Sequence, residues 1–125
     1  MTQFSILSAI QVIAIHDSII GANELQGLAK DKSLDAVLAR VHNSLQYGFI
    51  SDHCDLAACY AVFIAKGHCF NDVNKRTAAA ILFLVLKNNG ISIKFAGLAL
   101  GDWIIEVATD RKTEIELAAW LRSHS

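Results

Sequence analysis

Nine consecutive residues, His68-Cys69-Phe70-Asn71-Asp72-Val73-Asn74-Lys75-Arg76, gather the side chains that phosphate chemistry needs. His68 is the one among them able to accept a proton near neutral pH. Asp72 offers a hard oxygen suited to Mg²⁺, which normally arrives with nucleotide phosphates. Lys75 and Arg76 add fixed positive charge, and Asn74 can orient a phosphoryl oxygen. Phe70 is the apolar anchor that would turn its neighbours outward. Base, metal carboxylate and anion site together describe transfer of a phosphoryl or nucleotidyl group to a hydroxyl. The histidine would activate the attacking oxygen and the cationic surroundings would stabilise the phosphate. The competing account is a structural one, in which these residues only cap and start a helix. Nine neighbours suited to one task weigh against it.

Such a segment has to be held by a rigid element, and the sequence supplies one. Thr77-Ala78-Ala79-Ala80-Ile81-Leu82-Phe83-Leu84-Val85-Leu86 is rich in helix formers, and Asn89-Gly90 is a helix stop. Its apolar run, Ala78 to Leu86, leaves no polar face, so this helix is expected to be buried at the centre of the fold. The polar segment then feeds a helix N-terminus, where unpaired N–H groups and the helix dipole favour anions. Around it the spacing predicts helices over Ser8 to Ile20, with apolar positions at Ile10, Ile13 and Ala14, and from Ser33 onward. The second carries a stripe at Leu34, Val37, Leu38, Val41 and Leu45. Asp52 caps a third helix ending at Gly67. Two more run near Leu98 to Thr109 and Glu114 to Arg122, the last opened by a Thr113/Glu116 capping box. Gly21 to Lys32 reads as a loop, and Ile91 to Phe95 as a short extended segment. His16 and Asp17 close the first helix, where the histidine either faces the helix dipole or pairs with the polar segment.

The chain has 125 residues, 54% of them hydrophobic, and no proline. Its mean hydropathy is +0.39. That composition supports a substantial core without staples, in one domain spanning 1–125 with no linker or repeat. No apolar run approaches the roughly 20 residues that span a bilayer, and no basic stretch precedes an apolar one at the N-terminus. A soluble, cytoplasmic protein with no membrane role is expected. A net charge of −1 with scattered cations argues against direct nucleic-acid binding. Cys54, Cys59 and Cys69 match no disulfide scaffold and no common zinc spacing, which leaves them as reduced core thiols. Trp103 and Trp120 fall on amphipathic helices as core or edge residues.

The nonapeptide also resembles the signature of the Fic/Doc family, His-x-Phe-x-Asp/Glu-Gly/Ala-Asn-Gly/Lys-Arg, with six defining positions matched. The likeness extends to chain size, helix order, the Lys66-Gly67 lead-in and the Asn89-Gly90 stop. It implies an all-α, compact single-domain helical bundle around a buried central helix. By position, it implies His68 as general base, Phe70 as loop anchor and Asp72 as the Mg²⁺ ligand. Asn74, Lys75 and Arg76 would bind the phosphates of ATP, with the N–H groups of Val73 to Lys75 as anion hole. Lys66 either touches a nucleotide phosphate or is a solvated lysine. Tyr47 to Ser51 lies where family members place the flap that docks the target segment, unless it is a tight turn with partly buried aromatics.

Two positions divide the family's activities. AMP-transferring members usually have Gly after the Asn and a second Arg three residues beyond the first, where this chain has Lys75 and Ala79. Members of the Doc branch share both departures and resemble kinases that phosphorylate a threonine of elongation factor Tu. The resemblance therefore implies a toxin of a type II toxin–antitoxin system acting as a protein kinase. AMP transfer and a catalytically degenerate binding module are the alternatives. Val73 departs from the family's Gly or Ala, and its β-branched side chain restricts the backbone beside the phosphates. None of the four glutamates (Glu24, Glu106, Glu114, Glu116) has Ser or Thr four residues before it, so the family's internal inhibitory pattern is absent. Inhibition is expected from a separate chain, a Phd-like antitoxin whose tail folds as a helix on this protein.

Overall fold

The computed structural model describes residues 4, 6–94 and 97–125. Among them are six helices: α1 (Ala9–Ile19), α2 (Leu34–Gln46), α3 (His53–Gly67), α4 (Asn74–Asn88), α5 (Gly97–Ala108) and α6 (Glu114–Ser123). Four of the starts have a side-chain cap. Ser8 and Gln11 form a capping box for α1, and Thr113 and Glu116 form the predicted one for α6. Ser33 caps α2 through the Ala36 N–H, and Asp52 caps α3 through the Asp55 N–H. The predicted stripe of α2 faces the core, with Leu34, Val37 and Val41 buried and Leu38 and Leu45 packed against it.

The central helix is α3, not the Ala-Leu-rich α4. Residues Leu56 to Val62 and Ile64–Ala65 of α3 are buried, interrupted only by the partly buried Phe63, because α2, α4, α5 and α6 all pack against it. Its run of alanines and cysteines lets those neighbours approach closely. In α4, by contrast, Thr77, Ala78, Ile81, Leu82, Val85 and Leu86 face inward while Phe83 is 43% exposed. An unbroken apolar run cannot tell a buried helix from one with an apolar outer face. On α1 the core face is Val12 and His16, whereas Ile10 is 80% exposed and Ala14 is exposed too. Ile91–Lys94 has no regular structure; Phe95 falls outside the described residues.

Position 67, the last of α3, is a glycine for a steric reason. A Cβ at that position would come within 2.7 Å of Val37 Cγ2, so the end of α3 lies directly against α2. The chain then leaves the helix through His68, which has φ 50° and ψ 40° in the left-handed region. Five residues later Val73 is also left-handed, φ 56° and ψ 31°, and becomes the N-cap of α4. The loop carrying the polar segment thus turns between α3 and α4, the most extensively packed pair of helices.

Candidate active site

The segment read as wholly polar loop is part helix. Asn74, Lys75 and Arg76 are the first turn of α4, so their N–H groups stand at the open N-terminus. They line a cavity of about 270 Å³ together with His68, Asn71, Asp72 and Val73. His68 and Lys75 are exposed there. Phe70 is buried at 3% exposure.

Three of the expected contacts fall differently. The Asn74 side chain grips the loop from both sides: its Oδ1 accepts the Phe70 N–H at 3.0 Å and its Nδ2 donates to the Phe70 carbonyl at 2.9 Å. Both ends of the amide are thus engaged on the main chain of Phe70, each with one hydrogen-bonding position left over. The Val73 N–H donates to Asp72 Oδ1 at 3.0 Å, which moves the open donors to Asn74, Lys75 and Arg76. Lys66 does not reach the cavity. It pairs with Asp110, itself left-handed at φ 61°, and ties the loop between α5 and α6 to the end of α3.

The flap expected at Tyr47–Ser51 is at the wrong end of the molecule. Ser51 and Asp52 precede α3 and His68 follows it; fifteen residues at about 1.5 Å each put roughly 22 Å between them. Gly48 does make a tight turn, φ 77°, but Tyr47 and Phe49 are exposed rather than partly buried. The segment that runs beside the loop between α3 and α4 is 25–29. Leu28 and Phe70 form an isolated antiparallel bridge, in which the Ala29 N–H donates to the Cys69 carbonyl and the Asn71 N–H to that of Gly27. The Asn71 amide adds a bond to the Gln26 carbonyl at 2.8 Å. No periodic or turn signal distinguishes 25–29 from other loop, because its partner lies more than forty positions away.

Two further residues enter the site, Glu24 unannounced and His16 by one of its two sequence readings. Glu24 accepts a hydrogen bond from Arg76 and also from the Gly21 N–H. An acidic group therefore contacts a motif arginine within this one chain, without the Ser/Thr pattern. His16 is fully buried; its ring lies flat on Phe70, centroids 3.8 Å apart, with Nε2 at 3.0 Å from the Asp72 carbonyl. Of its two sequence readings, pairing with the polar segment is the one realised. Cys69 is buried, and burial pushes its thiol up, so it is no competing nucleophile.

Asp72 fits a Mg²⁺ role on donor chemistry. Oδ1 accepts from the Val73 N–H and Oδ2 from the Leu25 N–H at 3.3 Å, leaving each oxygen a further lone pair. No group of three or more His, Cys, Asp or Glu able to hold a metal exists among the described residues. One carboxylate completed by phosphate and water is a normal environment for Mg²⁺.

Residues 6–86 match the model of the Fic/DOC family. Protein kinase doc of Escherichia phage P1 is 34% identical over 117 residues, covering 93% of this chain and 92% of that protein. The matched region includes α1, the 25–29 segment, the loop between α3 and α4 and most of α4, and this chain belongs to the Fic/Doc family.

Proposed function

We propose that this protein is the toxin of a type II toxin–antitoxin system and a protein kinase that moves the γ-phosphate of ATP to a Thr or Ser hydroxyl of a translation factor. The observation that carries it is the meeting of His68 with the open first turn of α4, Lys75 and Arg76 around one cavity. His68 accepts the proton of the target hydroxyl as its oxygen bonds to the γ-phosphorus. The bond from that phosphorus to the bridging oxygen breaks, and ADP leaves with the electron pair. Asn74, Lys75 and Arg76 N–H groups and the two cationic side chains bind the phosphate oxygens. Asp72 would hold Mg²⁺, which neutralises phosphate charge when bound.

Kinase is favoured over AMP transfer because Ala79 stands where a second clamp would be. It lines an apolar recess with Lys75, Arg76, Gly101, Ile104 and Ile105. The relative named protein kinase doc supports the same choice. Elongation factor Tu is the proposed target, a Phd-like antitoxin helix the proposed inhibitor, and the cytoplasm the proposed location; no described helix is long and apolar enough to cross a membrane.

The test is incubation with elongation factor Tu, Mg²⁺ and ATP labelled at the α or the γ phosphate, using the protein and its His68→Ala variant. Label from the γ position alone, and only with His68 present, is expected. Label from the α position would make the protein an AMP transferase.

A further inference from the structure

Asp72 sits between two demanding features. Its carboxylate faces the cavity, and the residue after it, Val73, is a β-branched residue in the left-handed region. Something must hold its main chain. The contacts of 25–29 and of Asn74 secure Cys69, Phe70 and Asn71 but stop short of the Asp72 carbonyl. That carbonyl is met by His16 Nε2 at 3.0 Å, from a helix 56 positions earlier in the chain. A carbonyl only accepts, so Nε2 carries the hydrogen. The other ring nitrogen, Nδ1, lies 3.0 Å from Asp17 Oδ1, a 61% exposed carboxylate that only accepts, so this second contact is a hydrogen bond only when Nδ1 carries a hydrogen as well. The ring is also stacked on Phe70 with 6° between planes. His16 and Thr77 are the buried polar residues among those described, and Thr77 Oγ1 donates to the Val73 carbonyl. The two therefore grip adjacent carbonyls of one loop.

We propose that His16 is a positioning residue of the phosphotransfer site: its buried imidazole fixes the Asp72 carbonyl and the Phe70 ring, and so sets where the Asp72 carboxylate and the first turn of α4 stand. Its kinetic consequence rests on the phosphotransfer reading above; its structural one does not. The donor, rather than the bulk of the ring, is what the site needs. Loss of that donor leaves a buried carbonyl unpaired beside a strained residue, which favours loop conformers with Asp72 displaced.

Two variants separate donor from ring. His16→Phe keeps an aromatic ring against Phe70 and loses the N–H; His16→Gln loses the ring and can place an amide N–H near the same carbonyl. Phosphotransfer with ATP is measured alongside amide hydrogen exchange, residue by residue. His16→Phe is expected to lower kcat about tenfold or more, since small displacements of a positioned group cost that much, while KM for ATP changes less than about twofold. Protection at the Val73 amide falls in the same variant, while the Ala29 amide, held across the Leu28–Phe70 bridge, keeps its protection. His16→Gln recovers a large part of both. Unchanged kcat and unchanged Val73 exchange in His16→Phe would overturn the proposal. So would loss of protection throughout the molecule, or a His16→Gln variant as impaired as His16→Phe. Should the unaltered protein transfer no phosphate, the functional reading fails and the exchange pattern alone decides the role of His16.

Discussion

At the scale of single residues, the site is poised but not open. Arg76 is engaged by Glu24, and Glu24 is independently held by the Gly21 N–H. On the function proposed above, an arriving phosphate would have to take the guanidinium from that carboxylate. The pair is partly exposed, 57% for Arg76 and 26% for Glu24, so the contest is worth at most about 1 kcal/mol. Glu24→Gln is accordingly expected to lower KM for ATP about three- to fivefold with little change in kcat, which an ATP titration would show. A raised KM would mean that Glu24 orients Arg76 instead of withholding it. Val73 is the second residue with a measurable consequence. A left-handed β-branched residue carries strain of about 1–2 kcal/mol. Val73 is buried yet outside the main core cluster. Val73→Gly removes strain and burial together, so its unfolding free energy should stay within about 1 kcal/mol of the parent. Val41→Ala, in the core, should lose about 2 kcal/mol. Denaturant unfolding compares them. That His68, Asp72, Lys75 and Arg76 line one cavity was legible because they fall within nine consecutive residues. Glu24 and the donor role of His16 were not settled by sequence, since contacts across about fifty positions leave no local pattern.

At the scale of elements, legibility follows the strength of the local signal. The caps at Ser33, Asp52 and Thr113 and the stripe of α2 were readable because each depends on neighbours three or four residues away. The identity of the central helix was not, because packing on all sides is decided by α2, α4, α5 and α6 together. The Tyr47–Ser51 assignment failed for a related reason: position before the motif in sequence says nothing about which end of α3 a segment joins. What positions His68 is the close approach of α3 to α2 at Gly67. Gly67→Ala would drive a methyl to 2.7 Å from Val37 Cγ2, and overpacking of this kind costs about 1–3 kcal/mol. Shortening Val37 to Ala removes the obstacle. The double variant Gly67→Ala/Val37→Ala should therefore be more stable than the sum of the single losses predicts, as thermal unfolding of all four proteins would show. Strict additivity would mean that Val37 does not set the approach.

At the scale of the whole molecule, α3 joins two polar ends through an apolar middle, and the end remote from the site governs how stability responds to pH. Arg122 of α6 bonds both Asp52 and Asp55 at the start of α3. Partial burial acts to raise the Asp55 carboxyl, but hydrogen bonds from Arg122 and the Ser51 N–H outweigh it and hold the group below its ordinary value of 3.8. A depressed acid contributes stability above its unfolded value and loses it as pH falls through the folded one. Glu114, at the start of α6, behaves oppositely: burial first, and the Asp55 charge second, push it above 4.5 despite a bond from the Cys59 thiol. The Cys59 thiol is itself pushed up to about 12, chiefly by burial, and so stays protonated as a donor. A raised acid is a cost once pH exceeds its folded value, and no cost below the unfolded one. Glu114→Gln, which keeps an acceptor for Cys59, should therefore raise the Tm at pH 7, and the gain should vanish below about pH 4.5. Asp55→Asn should lower the Tm at pH 7, and that loss should shrink as pH drops below about 3.8. Thermal unfolding of the three proteins between pH 3 and 8 separates the two carboxylates. A Glu114→Gln protein less stable than the parent at pH 7 would show that the charged carboxylate is well solvated at the helix start, where the dipole of α6 favours it.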